Sequence, residues 1–132
     1  MIKKTVTYED FDGNKRTEDF YFNLTKAELT EMEMSLNGGL SQLLEKIVQE
    51  NDQKLIIEYF KKIVLDSYGI KSLDGRQFQK SDEIRAAFAS TAAYSDIFME
   101  LATDSDAASA FVNGIIPKSL EKAATGPALV SG

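Results

Sequence analysis

Residues 20–44 read Phe-Tyr-Phe-Asn-Leu-Thr-Lys-Ala-Glu-Leu-Thr-Glu-Met-Glu-Met-Ser-Leu-Asn-Gly-Gly-Leu-Ser-Gln-Leu-Leu. An aromatic strand end runs here straight into a capped helix. Thr25 stands at an N-cap position and Glu28 follows three residues on, the capping-box spacing in which each side chain bonds the other residue's backbone N–H. Leu24 before the cap and Leu29 in the first turn form a hydrophobic staple. Leu24 therefore ties strand to helix, and the later elements pack against that corner. The stretch decides architecture and contains no reactive chemistry.

Working outward, residues 2–8 alternate. Ile2, Lys4, Val6 and Tyr8 share one face, and Lys3, Thr5 and Thr7 the other. Asp12-Gly13 follows, then a second β-prone run ending in Phe20, Tyr21 and Phe22. Two such runs around Asp-Gly predict a hairpin over 2–22 closed by a tight primed turn, which needs positive φ. A lone hairpin is marginal in water, so its apolar face must lie on helices.

Downstream the period changes. Ala27, Leu29, Met32 and Leu36 mark a helix over about 26–36, stopped by Asn37-Gly38-Gly39. Leu40, Leu43, Leu44, Ile47 and Val48 follow at the spacing of an amphipathic helix. Asn51-Asp52 breaks the chain. A strongly apolar third helix over about 53–68 carries Leu55, Ile56, Ile57, Tyr59, Phe60, Ile63, Val64, Leu65 and Tyr68, with Gly69 as its C′ residue. Residues 70–80 read as a polar connection around Asp74-Gly75, with Phe78 as anchor and room for a very short hairpin. Ser81 caps a fourth helix, Ser90 or Thr91 a fifth, and Asp104 or Ser105 a sixth that Pro117 ends. The expected fold is mainly α (α+β): an N-terminal β-hairpin on a bundle of about six short helices. The expected organisation is one domain over 1–118, helices between about 26 and 116, and a flexible tail over 119–132.

Composition narrows function. At 132 residues and 43% hydrophobic, one such chain buries roughly two-thirds of its unfolded surface. The net charge is −6 with no basic block, and nucleic-acid binding rests on Lys and Arg neutralising phosphates. There is no Cys and no His. That removes thiolate sites, disulfides, and the commonest general base and metal ligand. The N-terminus lacks a signal-peptide h-region and no apolar run has membrane-spanning length. The expectation is a soluble, cytoplasmic chain without cofactor, metal, small-molecule substrate, nucleic acid or membrane.

Apparent motifs have plainer readings. Asp10-x-Asp12-Gly13-Asn14 resembles a calcium loop, but the EF-hand pattern places glycine sixth and glutamate twelfth. Counted from Asp10, glycine comes fourth and Tyr21 twelfth, so a hairpin turn is the better reading. Asp104 and Asp106 suit a helix cap with an acidic first turn. Glu28, Glu31 and Glu33 diverge around a helix. Ser41 and Ser81 stand without a histidine partner, and neither phosphate-cradling glycine motif occurs. Ser81–Leu101 can be drawn as a helix-turn-helix. Its second helix would turn Asp96 and Glu100 toward phosphates, and no Arg or Lys lies between 86 and 117. Met34 falls off the Leu29–Met32–Leu36 side, and exposed methionine makes an adaptable partner surface.

With these residues in place, the chain resembles the tail-assembly chaperones of long-tailed (siphovirus-type) bacteriophages or prophages of Gram-positive bacteria. The resemblance is carried by Phe22-Asn23-Leu24-Thr25-Lys26-Ala27-Glu28-Leu29, then Met32-Glu33 and Gly38-Gly39-Leu40. Further on come Ser67-Tyr68-Gly69, Asp74-Gly75-Arg76-x-Phe78 with Lys80-Ser81, Phe98-Met99-Glu100-Leu101-Ala102-Thr103-Asp104 and Phe111-x-Asn113-Gly114-Ile115-Ile116-Pro117. The matches run in order over roughly residues 17–118. The resemblance implies a non-enzymatic protein that binds and solubilises the tape-measure protein, helps recruit tail-tube subunits, works in the bacterial host cytoplasm and is absent from the mature virion. The family also implies a longer form made by frameshifting near the C-terminus. The alternative is a non-catalytic head–tail adaptor that stays in the particle. Self-association is compatible with either. Helix-in-groove recognition on the first three helices makes Met34, Leu36, Leu40, Leu44 and Tyr59 the candidate partner-binding residues.

Overall fold

The computed structural model describes residues 1–35 and 53–117, with side chains described for 1–31 and 57–117. The alternating N-terminal segment forms β1 (Ile2–Glu9), antiparallel to β2 (Lys15–Phe22). Alternation holds as expected: Ile2, Lys4, Val6 and Tyr8 turn inward, and Lys3, Thr5 and Thr7 are exposed. After α1 (Lys26–Ser35) and α2 (Gln53–Ser67) come two short strands, β3 (Tyr68–Lys71) and β4 (Phe78–Gln79). The four strands make one antiparallel sheet in the order β1-β2-β3-β4. Then follow α3 (Asp82–Ala89), α4 (Ala92–Thr103) and α5 (Ser105–Ile115). The protein is thus mixed α+β, a hairpin-led sheet with five helices among the described residues. The helix expected from Leu40 to Val48 and the tail over 119–132 lie outside them.

Local chemistry explains the boundaries. The capping box forms: Thr25 N donates to Glu28 Oε1 at 2.8 Å and Glu28 N to Thr25 Oγ1 at 3.2 Å. Leu24 and Leu29 are both buried in the core. Ser81, Thr91 and Asp104 cap α3, α4 and α5, accepting from the backbone N–H groups of Ile84, Tyr94, and Asp106 with Ala107. Each cap satisfies donors that a helix start leaves orphaned.

Two local readings need correction. The first hairpin does not close with a two-residue primed turn. Its register pairs Glu9 with Lys15, and the loop is Phe11-Asp12-Gly13, with Gly13 N donating to Asp10 O and Asp10 N to Asn14 O. Asp10 causes this: Oδ1 accepts from the N–H groups of Asp12 and Asn14, an Asx arrangement that stabilises the wider turn. Gly13 still supplies the positive φ, at 84°. Second, Gly69 is not a C′ cap. The chain passes from α2 directly into β3, and Gly69 is a buried strand residue opposite Tyr21. A Cβ there would lie 2.8 Å from the Phe78 ring and 3.0 Å from Gln79 O, so the position is glycine for the close approach of β4. Tyr68, read as helical, is likewise in β3.

The corner at Asn23–Thr25 draws the helices together. Asn23 N donates to Ser67 O and Leu24 N to Ile115 O, both at 2.8 Å. Two helix ends thereby give carbonyls without intrahelical partners to one turn of chain. Lys80 completes it. Its Nζ donates to Asn23 O at 2.7 Å, Asp66 O at 2.9 Å and Glu28 Oε2 at 2.6 Å, with the side chain only 11% exposed. Around the corner lies one hydrophobic cluster, including Phe20, Phe22, Leu24, Leu29, Ile63, Val64, Phe88, Ile97, Leu101, Phe111 and Ile115.

Lys80→Met keeps much of the apolar stem and removes all three hydrogen bonds. Leaving two carbonyls and a carboxylate short of a donor lowers stability by about 1–3 kcal/mol. Urea denaturation checks this, with the midpoint falling at unchanged slope. A variant as stable as the parent would show that the corner does not depend on the ammonium.

Candidate protein-binding surface

The polar motifs singled out in the sequence are taken up by the fold. Asp10 Oδ2 accepts from Arg16 Nε at 2.6 Å while Oδ1 holds the turn. The Arg16 guanidinium and the Asn14 and Asp12 amides hold this carboxyl below the ordinary aspartate range. Asp104 is the α5 cap, Ser81 Oγ the α3 cap, and Glu28 belongs to the capping box and to Lys80. Of the drawn helix-turn-helix, α4 buries Ala93, Ile97 and Leu101, and its Glu100 pairs with Lys4 of β1. Among the described residues no group of three or more His, Cys, Asp or Glu is placed to hold a metal ion, and no helix is long and apolar enough to cross a membrane.

Apolar surface is what the described chain offers. A groove of about 310 Å³ runs between the inner face of β2 and β3 and helix α3, lined by Phe20, Tyr68, Ile70, Ile84, Ala87 and Phe88. Aromatic rings make its floor. Tyr68 stacks on Phe88 with centroids 4.0 Å apart and planes 12° apart, and Phe20 lies 5.5 Å from Phe88. Burial pushes the Tyr68 phenol above its ordinary value. Ile70 forms an open wall, 46% exposed. Glu83 is the charged residue of the lining.

The two hairpin loops add a second apolar feature. Asp10-Phe11-Asp12-Gly13 and Ser72-Leu73-Asp74-Gly75 form matching turns. In each, the glycine N–H donates to the first residue's carbonyl, and the glycine has positive φ, 84° and 76°. The second position points into solvent: Phe11 is 83% exposed and Leu73 fully exposed. β1 and β3 both run antiparallel to β2, so both loops leave the same end of the sheet. The repeated pattern of a large apolar residue before Asp-Gly is visible in the sequence, where it was read for its turn alone.

Of the residues marked in advance, Tyr59 is on α2, half-buried with the core cluster. Met34 lies within α1, with its side chain outside the described set, and Leu36, Leu40 and Leu44 lie outside the described residues altogether. Ile70, Ile84 and Ala87 were missed. Their groove forms only when β3 pairs with β2, a pairing that reading Tyr68 and Gly69 as a helix end conceals.

The described surface is that of a small α+β protein with scattered exposed apolar side chains and an apolar groove. The comparisons agree: a family model described as phage tail assembly chaperone matches residues 1–127. The chain belongs to the phage tail assembly chaperone family. No curated protein and no solved structure matches it.

The Asp10 carboxylate gives an acid dependence. Its folded pKa lies below the ordinary value of 3.8. The turn's contribution is therefore present above that value and is lost as pH falls through the folded pKa. A ¹³C-detected titration of the Asp10 carboxyl should show a midpoint below 3.8, moving upward in Arg16→Gln while the Asn14 and Asp12 amides keep it below that value. A midpoint at the ordinary value in the parent would remove Asp10 as the turn's anchor.

Proposed function

We propose that this protein is the chaperone of a tape-measure protein. It holds apolar helical stretches of that long tail component in solution and helps bring tail-tube subunits to it, in a long-tailed phage or prophage of a Gram-positive bacterium. It does so in the host cytoplasm, without catalysis or cofactor, and leaves before the virion is complete. Family membership supports the tail-assembly part of this reading. The observation that carries the client-binding part is the groove walled by Ile70, Ile84 and Ala87 over the Tyr68–Phe88 stack.

The physical match is helix-in-groove recognition, in which the apolar stripe of a helix is laid on a preformed apolar floor. A floor of stacked aromatic rings loses little conformational entropy on binding, so more of the burial appears as affinity. Met34, Leu36, Leu40, Leu44 and Tyr59 are proposed as a second contact stripe.

Ile70→Glu tests the groove. A carboxylate facing an apolar helix without a partner is penalised on binding, while the exposed position spares the fold. Co-expressed with a tape-measure protein from its own gene neighbourhood, the tagged parent should retain a soluble, high-mass complex. The variant should retain about tenfold less, roughly 1.4 kcal/mol, with an unchanged circular-dichroism melt. Undiminished retention by Ile70→Glu would remove the groove from the reading. A tape measure that is soluble without the chain would remove the chaperone role itself.

A further inference from the structure

Strand β1 is the outer strand of the sheet, and among the described residues its one strand partner is β2. Backbone hydrogen bonds fix which groups it leaves open. Asp10 N donates to Asn14 O, in register with the β1–β2 pairs. In an antiparallel ladder the bonded pairs alternate, so Tyr8, Val6, Lys4 and Ile2 bond to β2. On the far side of β2 the parity agrees, because Asn23 N donates to Ser67 O in register with Tyr21–Gly69. Lys3, Thr5, Thr7 and Glu9 therefore turn their backbone N–H and C=O groups to the free edge. Beside that edge runs a groove of about 610 Å³, lined by residues Ile2 to Thr7, by apolar side chains of α4 and α5 that include Ile97 and Phe111, and by the α4 carboxylates Asp96 and Glu100, the latter paired with Lys4. An edge with space alongside is a template for another strand.

We propose that β1 pairs antiparallel with β1 of a second copy of this chain, joining two sheets into one of eight strands about a two-fold axis at Val6. Charge selects both occupant and register. Lys3 and Glu9 stand at opposite ends of the edge, both exposed, and neither has an ion-pair partner among the described residues. Antiparallel self-pairing centred on Val6 sets each Lys3 opposite the other copy's Glu9, so both charges meet their opposites twice. Opposite charges facing across strands are favourable, and like charges are not. The same register sets Thr5 opposite Thr7, continuing the hydroxyl ladder in which Thr7 Oγ1 lies 3.0 Å from Thr17 Oγ1 on the same face. It also brings the two Val6 side chains together over the groove. A two-fold axis normal to the sheet leaves both inner faces on one side. If the reading of the α3 groove holds, the pair presents two such grooves side by side to one long partner, an arrangement that strengthens weak contacts by avidity.

The test is sedimentation equilibrium on the full chain with amide hydrogen exchange on the same samples. The mass should rise with concentration from 14.7 kDa to twice that value. In the dimer the amides of Lys3, Thr5, Thr7 and Glu9 should slow together. Lys3→Glu and Glu9→Lys should each weaken dimerisation at least tenfold, because each sets like charges opposite one another twice. The double variant should recover the parent's affinity. Each should keep the parent's circular-dichroism spectrum. A monomer at all concentrations overturns the proposal, as does a dimer indifferent to the single reversals. Slow Thr5 and Thr7 amides in a monomer would assign the edge to a segment of the same chain and equally overturn it. None of these outcomes depends on a tape-measure protein, so failure here is distinct from failure of the chaperone reading.

Discussion

One ammonium group joins three separate parts of the fold. Lys80 Nζ reaches the end of β2 at Asn23, the capping box at Glu28 and the end of α2 at Asp66. These contacts are 57, 52 and 14 residues away in sequence. A lysine ammonium has three donors and no acceptor, and here each donor has an oxygen. A cation with so little solvent around it is tolerated only when hydrogen-bonded and paired. Its place at the end of α2 is also where the helix dipole favours positive charge. Meanwhile Ser67 O and Ile115 O receive the Asn23 and Leu24 amides. Carbonyls at two helix ends and one strand end are thus satisfied at a single corner, which lets α2 stop without a glycine cap.

The apolar groove follows from that corner. Holding the end of α2 beside β2 places Tyr68 and Gly69 in register with Phe22 and Tyr21. Tyr68 then stacks on Phe88, which also touches the Phe20, Phe22 and Tyr94 rings. Phe88 is the one fully enclosed residue of α3, so this helix is anchored at its C-terminal half while Ile84 and Ala87 line a groove shared with Ile70. The aromatic cluster therefore serves two roles. Its interior fixes the helix layer on the sheet, and its rim is the floor of the groove.

Much of this architecture is legible in the chain because it is local. The Thr25–Glu28 box and the Ser81, Thr91 and Asp104 caps depend on residues within four positions of one another, and the β1 alternation on the single run of residues 2–8. What local pattern conceals depends on distant partners. Gly69 looks like a helix end because glycine after an apolar helix commonly is one. Only the approach of Phe78 and Gln79 shows that it serves a strand. The first turn was narrowed for a related reason: Asp-Gly signals positive φ, but loop length was set by the Asp10 carboxylate two residues earlier. For the binding surface, periodicity tells which helix face is apolar and not what covers it. The expected partner residues lie on helix stripes, and the described exposed apolar side chains lie on both kinds of element, at Ile70, Phe11 and Leu73 on a strand and turns and at Ile57 and Met99 on helices.

The proposed shielding of apolar helices requires a protein to display apolar surface and remain dispersed, two demands that pull against each other. The described chain meets both by spacing. Phe11, Leu73, Ile70, Ile57 and Met99 are exposed on separate elements, and single exposed apolar residues do not by themselves drive association. Acidic charge of −6 overall opposes non-specific clustering. Charge also restrains the β1 edge. Lys3 and Glu9 flank Thr5 and Thr7, so the edge carries no apolar outward row, and long-range stacking of edges in other registers sets like charges or unpaired charges together. Surfaces of this kind make contacts that are individually weak and gain strength when several engage one long partner at once. Such contacts also release one at a time. That property fits the proposed role, in which the client is finally handed on to the growing tail.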